Sequence, residues 1–319
     1  LHLTFSMLSN FFQIFLIISP VFLLIILGNF LRRIKVPDVS FWEINDKLCY
    51  WVLIPALLFH YIIQISLSTE MLYSYSVIIY AGFFIAIMTV VVLGKLLKYS
   101  PERWTSILQG AVRQNAFIAL AITGSLFGDE GLKIASIFML IYVPSINIII
   151  VTIMVINFGE SKQNSSNNEF KTVFVELSKN PFILAMIIGL MFSLIPQEKL
   201  KVIIDTSGLL GSAALPIMLL TIGAKIKVRD LALTITPITI SNFLKLIALP
   251  TIAFFVANFL GLSETEVIVA VIFAAVPTAV SSHTLARQFG ADDQLMTSII
   301  TTQVILSFLT IPILLAFIS

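Results

Sequence analysis

Gln109-Gly-Ala-Val-Arg-Gln-Asn-Ala-Phe117 places Arg113, Gln114 and Asn115 halfway along an otherwise apolar run. The run reads as a membrane-spanning helix over 103–127, and at ~1.5 Å per residue Arg113 lies ~15 Å deep, near the bilayer midplane. A cation there costs about 2.5–3.5 kcal/mol even on insertion scales, so it needs a partner or a wet cavity. The stretch is therefore read as the centre of a transport site. Lys245 is the other charge near a helix centre, in Asn242-Phe-Leu-Lys-Leu-Ile-Ala-Leu-Pro250. It reads either as a lysine that snorkels or pairs with a carbonyl, or as fixed charge that balances or replaces a coupling cation.

Composition agrees with a membrane setting. The chain is 58% hydrophobic and 11% charged, with mean hydropathy +1.03, where a soluble domain carries about 25% charged residues. Apolar runs of ~20 residues predict helices rather than barrel strands, which would alternate over ~10. Cys49 is the single cysteine, so no intrachain disulfide forms and a cysteine-based metal cluster is not expected. The first run lacks a small-residue cleavage site, so a removed signal peptide is not expected, and Met7 is read as the start. There is no Walker-type phosphate loop, catalytic carboxylate pair, His/Cys metal spacing or nucleophile elbow. ATP-driven transport and enzymatic turnover are thus not supported, and neither a cofactor nor a nucleic acid enters the reading.

Ten hydrophobic runs fall near 11–31, 43–65, 73–97, 103–127, 132–157, 172–195, 205–225, 234–259, 264–288 and 294–318. The polar stretch Gly159-Glu-Ser-Lys-Gln-Asn-Ser-Ser-Asn-Asn168 divides them five and five. This predicts a first repeat over 1–158, a cytoplasmic linker over 159–171 and a second repeat over 172–319. The halves share spacing. Pro20 and Gly28 are matched by Pro181 and Gly189 at an offset of 161, and Pro55 by Pro216 at the same offset. Glu102, Phe127 and Gly128 are matched by Glu264, Phe289 and Gly290 at 162. Five spans per half is odd, so the second copy enters the bilayer upside down, a pattern typical of secondary transporters. Arg32, Arg33, Lys35, Lys95, Lys98, Arg103, Lys162, Lys171, Lys225, Lys227, Arg229 and Arg287 fall on one side, against Lys133, Lys199 and Lys201 on the other. The positive side is cytoplasmic, which puts both termini outside.

The repeat sets Arg113-Gln-Asn115 opposite Ala275-Val-Pro277. Pro277 removes a backbone donor, and Thr278 and Ser281 can satisfy the freed carbonyls. Alone, Pro277 is a packing kink and Asn115 interhelical glue; with Arg113 at the same level, they point to a midplane site. Pro55 and Pro216 either line the cavity opposite the crossing or are packing kinks of their own. His60 can titrate near neutral pH, but lies in the outer half of its helix and reads as a hydrogen-bonded structural histidine. All 17 acidic residues fall in loops or within about two turns of helix ends. A site with fixed positive charge and no internal counter-ion calls for an anionic substrate.

Several segments resemble the auxin efflux carrier family, which includes the plant PIN carriers and bacterial organic-acid carriers. They are Ser19-Pro-Val-Phe-Leu-Leu-Ile-Ile-Leu-Gly28, Ile44-Asn45 followed by Ile54-Pro-Ala-Leu-Leu-Phe-His60, and Arg113-Gln-Asn115 with Phe127-Gly128. Leu215-Pro216 through Gly223-Ala224, and Ala274-Ala-Val-Pro-Thr-Ala-Val280 to Leu309-Thr-Ile-Pro312, complete the set in order. The resemblance implies an all-α membrane protein of ten helices in two inverted five-helix repeats, like the NhaA and bile-acid transporters. It further implies that helices 4 and 9 are broken and cross at the substrate site. Helices 1, 2, 6 and 7 would form a scaffold, helices 3–5 and 8–10 a mobile transport bundle, and the protein often a homodimer in the cell membrane. Organic anions are the implied substrates, with Arg113, Asn115, Pro277 and Thr278 at the crossover. The large cytoplasmic loop of the long plant carriers is missing, and 73–97 lacks the aspartate that plant members place there. Two other readings stay open: a sodium-coupled carrier of the bile-acid type, and a receptor or channel without stoichiometric turnover.

Overall fold

The computed structural model describes residues 2–65, 68–158, 178–226 and 234–318. The expected linker, with Lys162 and Lys171, and the cations Lys227 and Arg229 lie outside the described residues. The described chain is helical, with no strand among these residues. In order it runs α1 (His2–Arg33), α2 (Val39–Leu48), a π-turn (Cys49–Leu53), α3 (Ile54–Ile62), α4 (Thr69–Leu96), α5 (Pro101–Val112) and α6 (Ala116–Phe158). Then come α7 (Pro181–Phe192), a 3-10 turn (Gln197–Leu200), α8 (Lys201–Lys225), α9 (Ile235–Phe243), a second π-turn (Leu244–Ala248), α10 (Leu249–Phe259), α11 (Glu264–Ala275), α12 (Ser281–Phe289) and α13 (Asp293–Ile318).

Six of these stretches are long and apolar enough to cross a membrane, with mean hydropathy between 1.7 and 2.7. One of them, Pro101–Phe158, has 58 residues, which at ~1.5 Å each is nearly three times a ~30 Å hydrocarbon core. It cannot be one straight pass. The chain reverses at Gly128 (φ 56°, ψ −141°), a backbone region open essentially to glycine alone. The Tyr142 hydroxyl shows the reversal directly, because it bonds back to Val112 and Gln114.

Both π-turns have a local cause. A proline ring collides with the carbonyl four residues earlier, and the wider π-turn gives that carbonyl room. Pro55 follows Cys49–Leu53, and Pro250 follows Leu244–Ala248. Pro216, the spacing partner of Pro55, lies instead within the regular helix α8. The pair is equivalent in spacing but not in backbone.

Among the glycine positions of the described residues, the closest backbone approach joins α1 to α8. A Cβ on Gly28 would sit 2.0 Å from the Leu220 carbonyl oxygen, and one on Gly223 1.8 Å from that of Ile25. The close approach lets Asn29 Nδ2 donate to the Gly223 and Ile226 carbonyls at 3.1 and 3.0 Å, and Arg32 donate to the Ala224 carbonyl. Small residues at such crossings are how apolar helices gain packing energy in lipid. An Asp46–Lys225 ion pair at 2.7 Å and an Asn45–Thr221 hydrogen bond at 2.6 Å tie α2 to the same helix. Helix α3 packs on α7 and α8, while α4, α5, α9, α10 and α11 pack on one another.

Candidate functional site

Two helices stop in mid-run and meet. Helix α5 ends at Val112, where Arg113 turns extended (φ −74°, ψ 129°), and α6 restarts at Ala116. Helix α11 ends at Ala275, where Val276 turns extended (φ −65°, ψ 149°), and α12 starts at Ser281. The breaks touch: the Asn115 amide donates to the Pro277 carbonyl at 2.8 Å. These two residues are the ones that the repeat spacing sets opposite each other. The return bond cannot form, since proline has no N–H. The Asn115 carbonyl accepts instead from Ala119, and its side-chain oxygen from the Ile118 amide at 3.3 Å.

Thr278 is fully buried and spends its donors on the crossing. Its hydroxyl donates to the Gly110 carbonyl at 2.7 Å and its amide to Gln303 Oε1 at 2.8 Å. Gln303 Nε2 donates in turn to Gly110 at 2.9 Å and to Ser241 Oγ at 3.4 Å. On the other break, Tyr142 accepts from the Gln114 amide at 2.9 Å and donates to the Val112 carbonyl at 2.8 Å. Ser281, by contrast, is exposed at the start of α12.

Arg113 is half-buried, and no carboxylate lies within 4 Å of it among the described residues. The ionisable groups near enough to couple to its guanidinium are the phenols of Tyr142 and Tyr50. Beside it, Gln114 is buried with its Nε2 lacking an acceptor. Tyr50 meets Phe182 at 4.8 Å with the rings tilted by 60°, and Phe182 meets Phe117 edge-on at 5.9 Å, so an aromatic wall stands beside the crossing.

A cavity of about 390 Å³ opens beyond this wall, lined by α1, α3, α6 and α8. Pro216 and His60 face it, together with Tyr61 and Asp129, whose side chains are joined at 2.8 Å. Pro55 lines a separate apolar groove with Phe59 and Ile203. His60 is hydrogen-bonded, its Nδ1 lying 2.9 Å from the Ile204 carbonyl and its Nε2 3.1 Å from Gln64. The structure thus joins Arg113, Gln114, Asn115, Pro277 and Thr278 in one place, and leaves Ser281, Pro55, Pro216 and His60 outside that cluster.

The model of a family described as membrane transport protein matches residues 13–315. The chain belongs to that family. It is the auxin efflux carrier family, whose motifs the sequence shows. A relative described as an uncharacterized transporter, from Methanothermobacter thermautotrophicus, is 25% identical over 216 residues, covering 67% of this chain and 68% of its own. Family and apolar helices together make this a multi-pass membrane protein and a transporter.

Within this membrane transport protein, Lys245 lies in the second π-turn, 1% exposed. No carboxylate pairs with its ammonium among the described residues. One turn earlier, Ser241 reaches the Ile107 carbonyl at 3.4 Å, so the lysine's helix packs against α5 just before the crossing. Sequence reading overlooked Tyr142 and Gln303. A tyrosine and a glutamine inside apolar runs look like a core aromatic and a stray polar residue. The available signal was their separation of 161 residues, the repeat offset itself.

Proposed function

We propose that the protein is a secondary carrier that moves a small organic anion, a mono- or dicarboxylate, by alternating access. In this reading it has ten membrane-spanning helices in two inverted repeats of five. The scaffold comprises α1, α2–α3, α7 and α8, and the remaining helices form a bundle that carries the site as an elevator. The count of six long helices fits ten passes. The second and ninth are cut by a π-turn and a break, the fourth and fifth run together through Gly128, and the sixth is described only in part.

The observation that carries the proposal is Arg113, a cation at a helix break with no carboxylate partner among the described residues, beside the unpaired side-chain Nε2 of Gln114. The first amides of a helix have no partner within it and carry partial positive charge. At α6 the Ile118 and Ala119 amides are satisfied by Asn115, which leaves those of Ala116 and Phe117 facing the break. A carboxylate seated there would complete the charge of Arg113 and accept from Gln114. Asn115 shapes that seat, while Thr278 braces it. Lys245 stands in for a coupling cation, because a fixed buried charge inside the bundle does electrostatically what a bound ion would do.

The test is a thermal-shift screen of the purified protein against mono- and dicarboxylates, with and without sodium, at two pH values. A ligand that binds the native state raises its melting temperature by mass action. A carboxylate-specific shift that disappears in Arg113→Ala supports the proposal. A shift with sodium alone, or with neutral compounds alone, refutes it and favours the sodium-coupled reading. Counterflow exchange in proteoliposomes separates a carrier from a receptor or channel.

A further inference from the structure

The hydrogen bonds at the two breaks share a pattern. Each break leaves an amide that no helix can satisfy, and each receives an acceptor from the last long helical stretch of its own half. At the first, Gln114 N–H donates to Tyr142, and at the second, Thr278 N–H donates to Gln303. Each acceptor side chain also donates to a carbonyl of α5, Tyr142 to Val112 and Gln303 to Gly110. Tyr142 is 5% and Gln303 0% exposed, so water supplies neither bond. The two residues stand 161 apart, the offset that relates Pro20 to Pro181 and Pro55 to Pro216. They are chemically unlike, yet occupy matching positions and satisfy the same orphaned donor.

We infer that Tyr142 and Gln303 are a matched pair of positioning residues, side-chain clips that hold the two interrupted helices open in register. Their roles differ in one respect. Tyr142 fastens the first break to itself, whereas Gln303 fastens the second break to the first through Gly110. The Gly110 carbonyl, accepting from both Thr278 and Gln303, is where the halves are joined. The clips act on the substrate through the amides of Ala116 and Phe117, which keep their aim only while the backbone just before them is fixed. The transport consequence rests on the carrier reading; the geometry rests on the hydrogen bonds alone.

Hydrogen–deuterium exchange on the purified full chain tests the clips without a substrate. Removing the acceptor of a buried amide favours local opening, so exchange there should quicken by about tenfold. Tyr142→Phe keeps the ring and should speed exchange over 113–117 only. Gln303→Met keeps the length and should speed it over both 109–117 and 274–282. Gln303→Glu, which still offers an oxygen to Thr278, should keep 274–282 protected. Unchanged exchange in Tyr142→Phe and Gln303→Met overturns the inference. Should Gln303→Met fail to fold, unchanged exchange over 113–117 in Tyr142→Phe overturns it alone. Uptake of radiolabelled malonate into proteoliposomes is the second readout. The clip variants should raise KM about tenfold, the effect of a misaimed donor worth ~1.4 kcal/mol, whatever fall in melting temperature accompanies the lost bonds. Lower stability with KM unchanged would show a merely structural role and refute positioning. If the unaltered protein takes up no malonate, the carrier reading loses support, while the exchange pattern still decides the clips.

Discussion

Replacing Lys245 by methionine should make the protein more stable and less active. The lysine is 1% exposed, and among the described residues no carboxylate pairs with its ammonium. A lysine at a helix centre in the bilayer costs about 2.5–3.5 kcal/mol on insertion scales. Methionine has a similar length and an apolar, adaptable stem, so it fills the same space without that cost. Recovering most of the penalty stabilises the fold by ~2–3 kcal/mol. At roughly 2 °C per kcal/mol for a chain of this length, melting should rise by about 4–6 °C. The assay is a thermal scan of both proteins in one detergent at one heating rate, since membrane proteins often unfold irreversibly. Uptake is measured on the same preparations, and the variant should lose it. A gain in stability with a loss of function is what a strained functional residue produces. A melting temperature that falls or stays level would mean that the lysine is well solvated or paired, and the reasoning would fail. Normal uptake by a stabilised variant would remove Lys245 from the coupling role.

Three further outcomes can be checked. Arg113→Ala and Asn115→Ala should each abolish uptake with expression and folding largely intact; normal transport by both would move the site away from the crossing. Gly223→Ala puts a Cβ 1.8 Å from the Ile25 carbonyl oxygen, a backbone atom that cannot rotate away. Overpacking of this kind costs about 1–3 kcal/mol, so melting should fall by several degrees, and an unchanged scan would contradict the close approach of α1 and α8. Cys49 is fully buried, which leaves a quiet background for labelling. Ser212→Cys, facing the cavity shared with His60 and Asp129, should react with an impermeant maleimide on intact cells. Labelling only in inverted vesicles would reverse the proposed orientation.

Much of this was legible in the sequence. Arg113-Gln-Asn115 in an apolar run and Pro277 at the matching place marked both breaks, because charge and proline each disturb a helix by known physics. What stayed hidden depends on how a break is repaired. Tyr142 and Gln303 differ in type, so identity matching passes over them; only their shared task relates them. Thr278 satisfies a carbonyl, as proline-broken helices require, but the Gln303 acceptor for its amide left no mark in residue type. The π-turn around Lys245 was missed as well, although Pro250 just beyond it was visible. Spacing also misled in one case: Pro55 and Pro216 obey the offset, yet face different cavities.

The clips bear on how the chain is made. An interrupted helix in lipid exposes amides and carbonyls that cost several kcal/mol each when left unpaired. Tyr142 belongs to the same helical hairpin as the first break, folded back at Gly128, so that hairpin can leave the membrane's insertion channel with Gln114 and Val112 already satisfied. Gln303 does the same for Thr278 in the last hairpin. The Asn115 amide has no such local partner, because its acceptor, Pro277, lies 162 residues further on. At about 5–20 residues per second of synthesis, it must wait roughly ten to thirty seconds. Each hairpin is thus born nearly self-sufficient, and the bonds that unite them, at Asn115 and at Gly110, are the last to close.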